Sequence, residues 1–208
     1  MARTMSAREA MLGRIRSALG RRPGDVPPEL GPPRISIPSI DIETRVTMFC
    51  SALEKLAGKT FVANSYTDAR NYIESVIAQR SVVSSDSALL RACGVACPAT
   101  ADIHRGACSE SAVGITGAAY ALADTGSLVM LANSEEARLV SLLPPTHIAV
   151  IERRQILTGL DELLTNLRLP ADVTSSMVLI TGTSRTADIE QILVRGVHGP
   201  GEVHVVIV

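Results

Sequence analysis

Between residues 41 and 208, short aliphatic runs alternate with helical stretches of roughly ten residues, and almost no aromatic side chain is available to fill the space between them. Aromatic residues make up 2% of the chain and tryptophan is absent, so a core must be assembled from Val, Ile, Leu and Ala. Continuous aliphatic runs suit strands that are covered on both faces. The pattern therefore predicts an α/β fold, a mostly parallel sheet with helices on both faces. Strands are expected over 59–63, 81–84, 113–116, 127–131, 147–151, 177–181 and 202–208. Helices are expected over 43–57, 68–79, 87–93, 118–123, 135–143, 155–167 and 185–193.

The first forty residues read differently. Residues 5–19 place Met11, Leu12, Ile15, Ala18 and Leu19 at the spacing of an amphipathic helix, with Gly20 as its stop. Residues 20–40 then hold Pro23, Pro27, Pro28, Pro32, Pro33 and Pro38, the composition of a stiff linker. The expected organisation is an N-terminal helical arm with its linker over 1–40 and a main domain over 41–208. The arm either docks on its own chain or serves another subunit, which gives a route to a homo-oligomer.

With a net charge of −1, the chain has no general attraction for polyanions. Arg14, Arg16, Arg21 and Arg22 are its main basic cluster, and the stacking aromatics of nucleic-acid readers are missing. The uncharged stretches 111–123 and 140–151 are too short to span a bilayer, and Glu9, Arg14 and Arg16 interrupt any signal-peptide core. The sequence predicts a cytoplasmic chain with no membrane insertion and no nucleic-acid partner.

Cys93-Gly-Val-Ala-Cys97-Pro98 copies the end of a bacterial ferredoxin ligand run, but the two earlier ligand positions are Ser87 and Leu90. Cys108 and Cys50 fit no cluster or zinc spacing. The thiols are expected to be buried core residues, with no cofactor. His147 and His198 have no E-x-x-H or H-x-x-H companion, so no metal site is predicted.

Two predicted strands end in the same words, Ile115-Thr116-Gly117 and Ile180-Thr181-Gly182, each expected to lead into a helix. Ligands in open α/β sheets bind beyond the carboxyl ends of strands. Thr181-Gly182-Thr183-Ser184-Arg185-Thr186 offers four hydroxyls, a glycine and a guanidinium at an expected helix start, which suits a carboxylate or phosphate. The bland alternative is that Thr183 or Ser184 simply caps that helix. In Asp124-Thr125-Gly126-Ser127 the acid reads either as a general base or nucleophile or as an ordinary turn residue. Only ten residues, 117–126, separate the flanking strands, so the strand after Gly126 is expected to run antiparallel and return Asp124 to the rim of Thr116.

Taken in order, Gly114-Ile115-Thr116-Gly117, Ala123-Asp124-Thr125-Gly126-Ser127, Arg138-Leu139, Ser141-Leu142-Leu143-Pro144-Pro145-Thr146-His147, the stretch Thr181 to Glu190 and Gly196-Val197-His198-Gly199-Pro200 resemble the LUD domain of LutC (YkgG-like) lactate utilisation proteins. The resemblance covers about residues 110–208. One departure is Asp124, where that family commonly carries Glu. The resemblance implies a fold like that of ribose-5-phosphate isomerase, glucosamine-6-phosphate deaminase and the CoA transferases. It also implies work beside iron–sulfur partner proteins in oxidising L-lactate to pyruvate, as a non-redox component, and the Thr181–Thr186 loop adds the expectation of a small carboxylate, phosphate or other anion as ligand. The alternative is a stand-alone enzyme of the CoA-transferase or sugar-phosphate isomerase kind, with Asp124 catalytic. The residues expected to hold the ligand are Thr116, Gly117, Thr125, Gly126, Ser127, Thr181, Gly182, Thr183, Ser184, Arg185, Thr186 and His198. Iron and sulfide assays on freshly purified protein should return substoichiometric amounts; one cluster per chain would overturn the reading of the thiols.

Overall fold

The computed structural model describes residues 6–22, 24–26, 37–96, 103–133, 136–167, 174, 176–186 and 194–208. Most of the proline-rich stretch, Cys97 and residues 187–193 lie outside these. The chain divides into two units, Met1–Arg34 and Ile35–Val208.

The first unit contains helix α1, Ala7–Ala18. Ser6 accepts a hydrogen bond from the Glu9 amide and the Glu9 carboxylate accepts one from the Ser6 amide, a reciprocal cap that fixes where the helix begins. Met11, Ile15 and Leu19 form an exposed apolar stripe along it.

The second unit opens with α2, Ile42–Lys55, capped by Asp41. It continues through β1 (Lys59–Val62), α3 (Tyr66–Ile77), β2 (Val82–Ser84), α4 (Ala88–Ala92) and α5 (Arg105–Glu110). Next come β3 (Val113–Gly117), β4 (Tyr120–Leu122), β5 (Ser127–Leu131), α6 (Arg138–Leu142) and β6 (Thr146–Ile151). A 3-10 turn at Arg153–Gln155 precedes β7 (Ile156–Leu157), α7 (Leu160–Asn166), β8 (Met177–Ile180), β9 (Arg185–Thr186), β10 (Val194–Arg195) and β11 (Glu202–Ile207).

A five-stranded sheet of order β1-β11-β6-β3-β2 is parallel throughout. Its aliphatic residues point both ways. Val113, Ile115, Ile148, Val150 and Val206 pack with α3 and α4 on one face. Ala149, Ile151, Val203, Val205 and Ile207 pack on the other face with Phe49 and Leu53 of α2 and with Ala121, Leu128 and Ile156 of a second sheet. That second sheet has the order β7-β4-β5-β8 and is covered outside by Leu163 of α7.

The expected α/β architecture with a mostly parallel central sheet flanked by helices is what the chain forms. Three expected elements change. Residues 118–123 are not a helix: Tyr120–Leu122 is β4, paired antiparallel with β5. Alanine favours a helix, but strand pairing across a tight turn overrides a weak local preference. The helix expected over 155–167 is shortened to α7, because Ile156 and Leu157 pair with β4 before Gly159. The helix expected from 185 begins instead as β9, paired with β10. Helix α5 stands where the sequence pattern predicts no element. The strands expected in one sheet are therefore shared between two.

Gly114 is where α6 comes closest to the parallel sheet. A methyl group there would lie 2.0 Å from the Val140 carbonyl oxygen and 2.9 Å from Pro144 Cγ. Backbone cannot yield as a side-chain tip can. Gly114→Ala should lower the unfolding free energy by about 3 kcal/mol or more, as read from urea titrations; an unchanged midpoint would show that α6 is free to move away.

Candidate functional site

The residues singled out in the sequence fall into separate groups. Asp124, Thr125, Gly126 and Ser127 form the tight connection between β4 and β5, and Thr181, Gly182 and Thr183 follow β8 beside it. Ser127 Oγ donates to Thr125 Oγ1 at 2.9 Å and lies 2.7 Å from Thr181 Oγ1. Three hydroxyls thus bind one another and tie the two turns together. Thr183 Oγ1 donates to the Leu56 carbonyl at 3.5 Å.

Both glycines of this group face α2. Gly126 has φ +66°, and a methyl group on it would lie 2.5 Å from the Leu53 amide nitrogen. Gly182 has φ +80°, and a methyl group there would lie 2.6 Å from Leu56 Cβ. The repeated Thr-Gly words secure close approach of a helix here, and left-handed backbone makes the same demand. Asp124 is exposed. Its amide donates to the Thr158 carbonyl at 3.1 Å, and its carboxylate packs against Gly159.

Thr116 and Gly117 lie elsewhere, at the opposite end of β5. The β4–β5 register runs from Leu122 opposite Ser127 to Tyr120 opposite Val129, so Gly117, three residues before Tyr120, lies toward the Leu131 end. Five strand residues span roughly 14 Å. The shared rim expected for Thr116, Asp124 and Thr181 is therefore not formed. The strand after Gly126 does run antiparallel, but to β4 and not to β3, and β4 has already carried the chain away from Thr116. Gly126 and Gly182, in the turns that carry Asp124 and Thr181, rest against the end of α2, just ahead of Lys59, which begins β1; that is the amino-terminal side of the parallel sheet. The helix start expected to gather an anion at Thr183–Thr186 is replaced by β9, whose Arg185 is exposed.

Ser184 and His198 form a third group. The Ser184 amide donates to the Pro200 carbonyl at 2.9 Å, and the His198 amide donates to Ser184 Oγ at 3.3 Å. This folds the Gly196–Pro200 words back over Ser184, beside the start of β11.

At the carboxyl end of β3 the polar contacts are different in kind. The Gly117 amide donates to Glu136 Oε1 at 2.9 Å, and a methyl group on Gly117 would lie 3.2 Å from Ser87 Oγ. Thr116 Oγ1 lies 2.8 Å from His147 Nε2, both fully enclosed between the sheet and α6. His147 Nδ1 has no hydrogen-bond partner among the described residues. Burial pushes the imidazole pKa down to about 4, so the ring is neutral. Sequence reasoning passed over Glu136 and Ser87. Glu136 sat within an apparent helix, and only the arrival of two chain-distant loops at one strand end reveals it.

Residues 101–208 match the LUD domain, which is half of the chain and all of β3 to β11. The chain belongs to the LUD domain family. It is 39% identical over 95 residues to Lactate utilization protein C of Halalkalibacterium halodurans, covering 44% of this chain and 41% of that protein. The corresponding protein of Bacillus subtilis is 39% identical over 95 residues, covering 44% of this chain and 40% of that one. That of Bacillus velezensis is 41% identical over 95 residues, covering 44% and 39%. The match thus spans about two-fifths of these relatives. A crystal structure of a DUF162 family protein from Deinococcus radiodurans superposes with a TM-score of 0.65 at 15% identity, over 81% of this chain and 99% of that one. At that identity the likeness concerns fold alone.

Within the LUD domain, the buried His147 makes stability depend on pH. Its folded pKa of about 4 lies below the ordinary 6.5. The stabilisation is therefore present above pH 6.5 and is lost as the pH falls toward 4, where the unfolded chain takes up a proton that the native ring refuses. The loss approaches roughly 3 kcal/mol. His204, pushed down by burial against the pull of Glu202, acts in the same direction. Glu202, held at about 2 by the Lys59 ammonium beside it, adds a loss only below about pH 4.5. Urea unfolding at pH 7 and pH 5 should show this fall, and His147→Gln should reduce it; equal pH slopes in both proteins would refute the assignment to His147.

Proposed function

We propose that this chain serves lactate utilisation, as a component of an L-lactate-oxidising system that leaves electron transfer to iron–sulfur partner proteins. The observation that carries the reading is the 34–41% identity, over fewer than 100 residues, to several proteins named Lactate utilization protein C, beside the LUD domain match over residues 101–208. Placement of the thiols supports a non-redox role. Cys93 packs in the core against α3, and Cys108 packs in a separate cluster with Val83 and Val140. Burial raises both thiol pKa values, which suits inert core residues better than ligands.

In this reading the chain contributes a small-carboxylate or other anion site and a surface for assembly, and it works in the cytoplasm. Among the described residues, no helix is long and apolar enough to cross a membrane. The sequence-predicted ligand residues enter the proposal unequally. Thr116 and Gly117 end β3 at the carboxyl rim, but both are buried, the Thr116 hydroxyl beside His147 and the Gly117 amide on Glu136. Thr125, Ser127, Thr181 and Thr183 spend their hydroxyls on one another and on α2, so their contribution is to hold the second sheet.

Deleting the gene from its source organism should abolish growth on L-lactate and spare growth on pyruvate, and the intact chain should co-purify with iron–sulfur proteins. Normal growth of the deletion strain on L-lactate would sink the proposal. Asp124→Asn separates the catalytic alternative. It should leave lactate growth intact if Asp124 only shapes its turn, and a growth defect with an unchanged unfolding midpoint would make the carboxylate functional.

A further inference from the structure

A cleft of ≈800 Å³ opens over the carboxyl ends of β1, β11 and β6, and none of the sequence-predicted ligand residues lines it. Its walls come from chain segments far apart: Glu43 at the start of α2, Ala63 to Tyr66 after β1, and Glu152 to Arg154 after β6. The rim beyond parallel strands is where α/β sheets take ligands, because side chains from successive loops converge there.

Two guanidinium groups reach this cleft in different states of restraint. Arg153 Nη1 lies 3.0 Å from each carboxylate oxygen of Glu43, while its Nη2 donates to the Ala63 carbonyl at 3.4 Å. The arginine side chain is 31% exposed and the glutamate side chain 71%. The guanidinium is thus anchored to the sheet end, and its carboxylate partner is a largely solvated side chain from another element. Exposed ion pairs of this kind hold weakly. Arg154 is kept beside it by Glu152, at 2.6 Å from its Nε.

We propose that this cleft is a binding site for an organic anion with a carboxylate or phosphate head, and that Glu43 occupies the head-group position when the site is empty. The incoming head group displaces the Glu43 carboxylate from Arg153 and takes over its two-oxygen contact. Arg153 meets both oxygens through the single nitrogen Nη1, and a guanidinium binds carboxylate and phosphate oxygens alike. Ile42 and Tyr66 line the cleft beside the charged groups, so a body larger than that of lactate fits the space. The inference rests on the lactate reading only for the choice of L-lactate as one probe.

The two members of the ion pair make opposite predictions, and this separates binding from folding. Intact ¹⁵N-labelled protein is titrated with L-lactate, hexanoate and inorganic phosphate, each to about 20 mM, a range that reaches millimolar dissociation constants. At least one probe should give saturable shifts at the amides of residues 63–66 and 152–154, and the responding probe tells whether the head is carboxylate or phosphate. Arg153→Gln should weaken that binding about tenfold, and Glu43→Gln should tighten it severalfold by removing the competitor. Both variants break the same pair, and loss of the pair alone would not move affinity in opposite directions, so only a ligand role gives opposite signs. No saturable shift at these amides with any probe, shifts confined to other amides, or equal affinities in the two variants would each overturn the site. None of these outcomes touches the growth phenotype that tests the lactate reading.

Discussion

The contact that organises the second unit is the approach of α2 to two glycine turns. Phe49 and Leu53 of that helix are fully enclosed between the two sheets, and at Gly126 and Gly182 the turns come so near the helix that no side chain fits. Dense packing of this kind leaves little freedom for either partner to shift alone. Arg45 extends the same grip, binding the Ile40 and Ile156 carbonyls and the Glu162 carboxylate of α7. One helix thereby registers the parallel sheet, the second sheet and the outer layer against one another. Where the second sheet sits, and hence which loops reach which rim, follows from that grip.

The layers were legible where local pattern and final environment agree. Runs such as Thr146–Ile151 and Glu202–Ile207 are aliphatic on both faces, and both faces are indeed covered. Helix α2 announces itself through Asp41, whose carboxylate accepts from the Thr44 amide, and through the spacing of Val46, Phe49 and Leu53. Legibility failed where a distant partner decides the outcome. Ala118 to Ala123 carries helix-forming residues, yet β5 and β7 recruit Tyr120–Leu122 from both sides. Gly126 and Gly182 announce a close approach without naming what approaches. A ligand was the local inference; the backbone and side chain of α2 are the fact.

The carboxyl rim was the least readable part for the same reason. Glu136, Ser87 and Gly117 meet only because two long excursions of the chain return to one strand end. The Arg153–Glu43 pair joins residues 110 positions apart. Single-sequence reading sees composition and period, and neither encodes such meetings. The ordered motifs carried the family identity nevertheless, and those around Gly126 and Gly182 are the turns that seat the second sheet on α2.

Strand order has a consequence for how the molecule comes into being. Strand β11 lies between β1 and β6, so Lys59 and Glu202, 143 positions apart, become neighbours only when it inserts. Until that strand arrives, β1 has no partner in the sheet and both open edges face water. Pairings across such long loops form slowly. During synthesis the slot between β1 and β6 therefore stays vacant while the strands that flank it wait, and insertion of Glu202–Ile207 closes it.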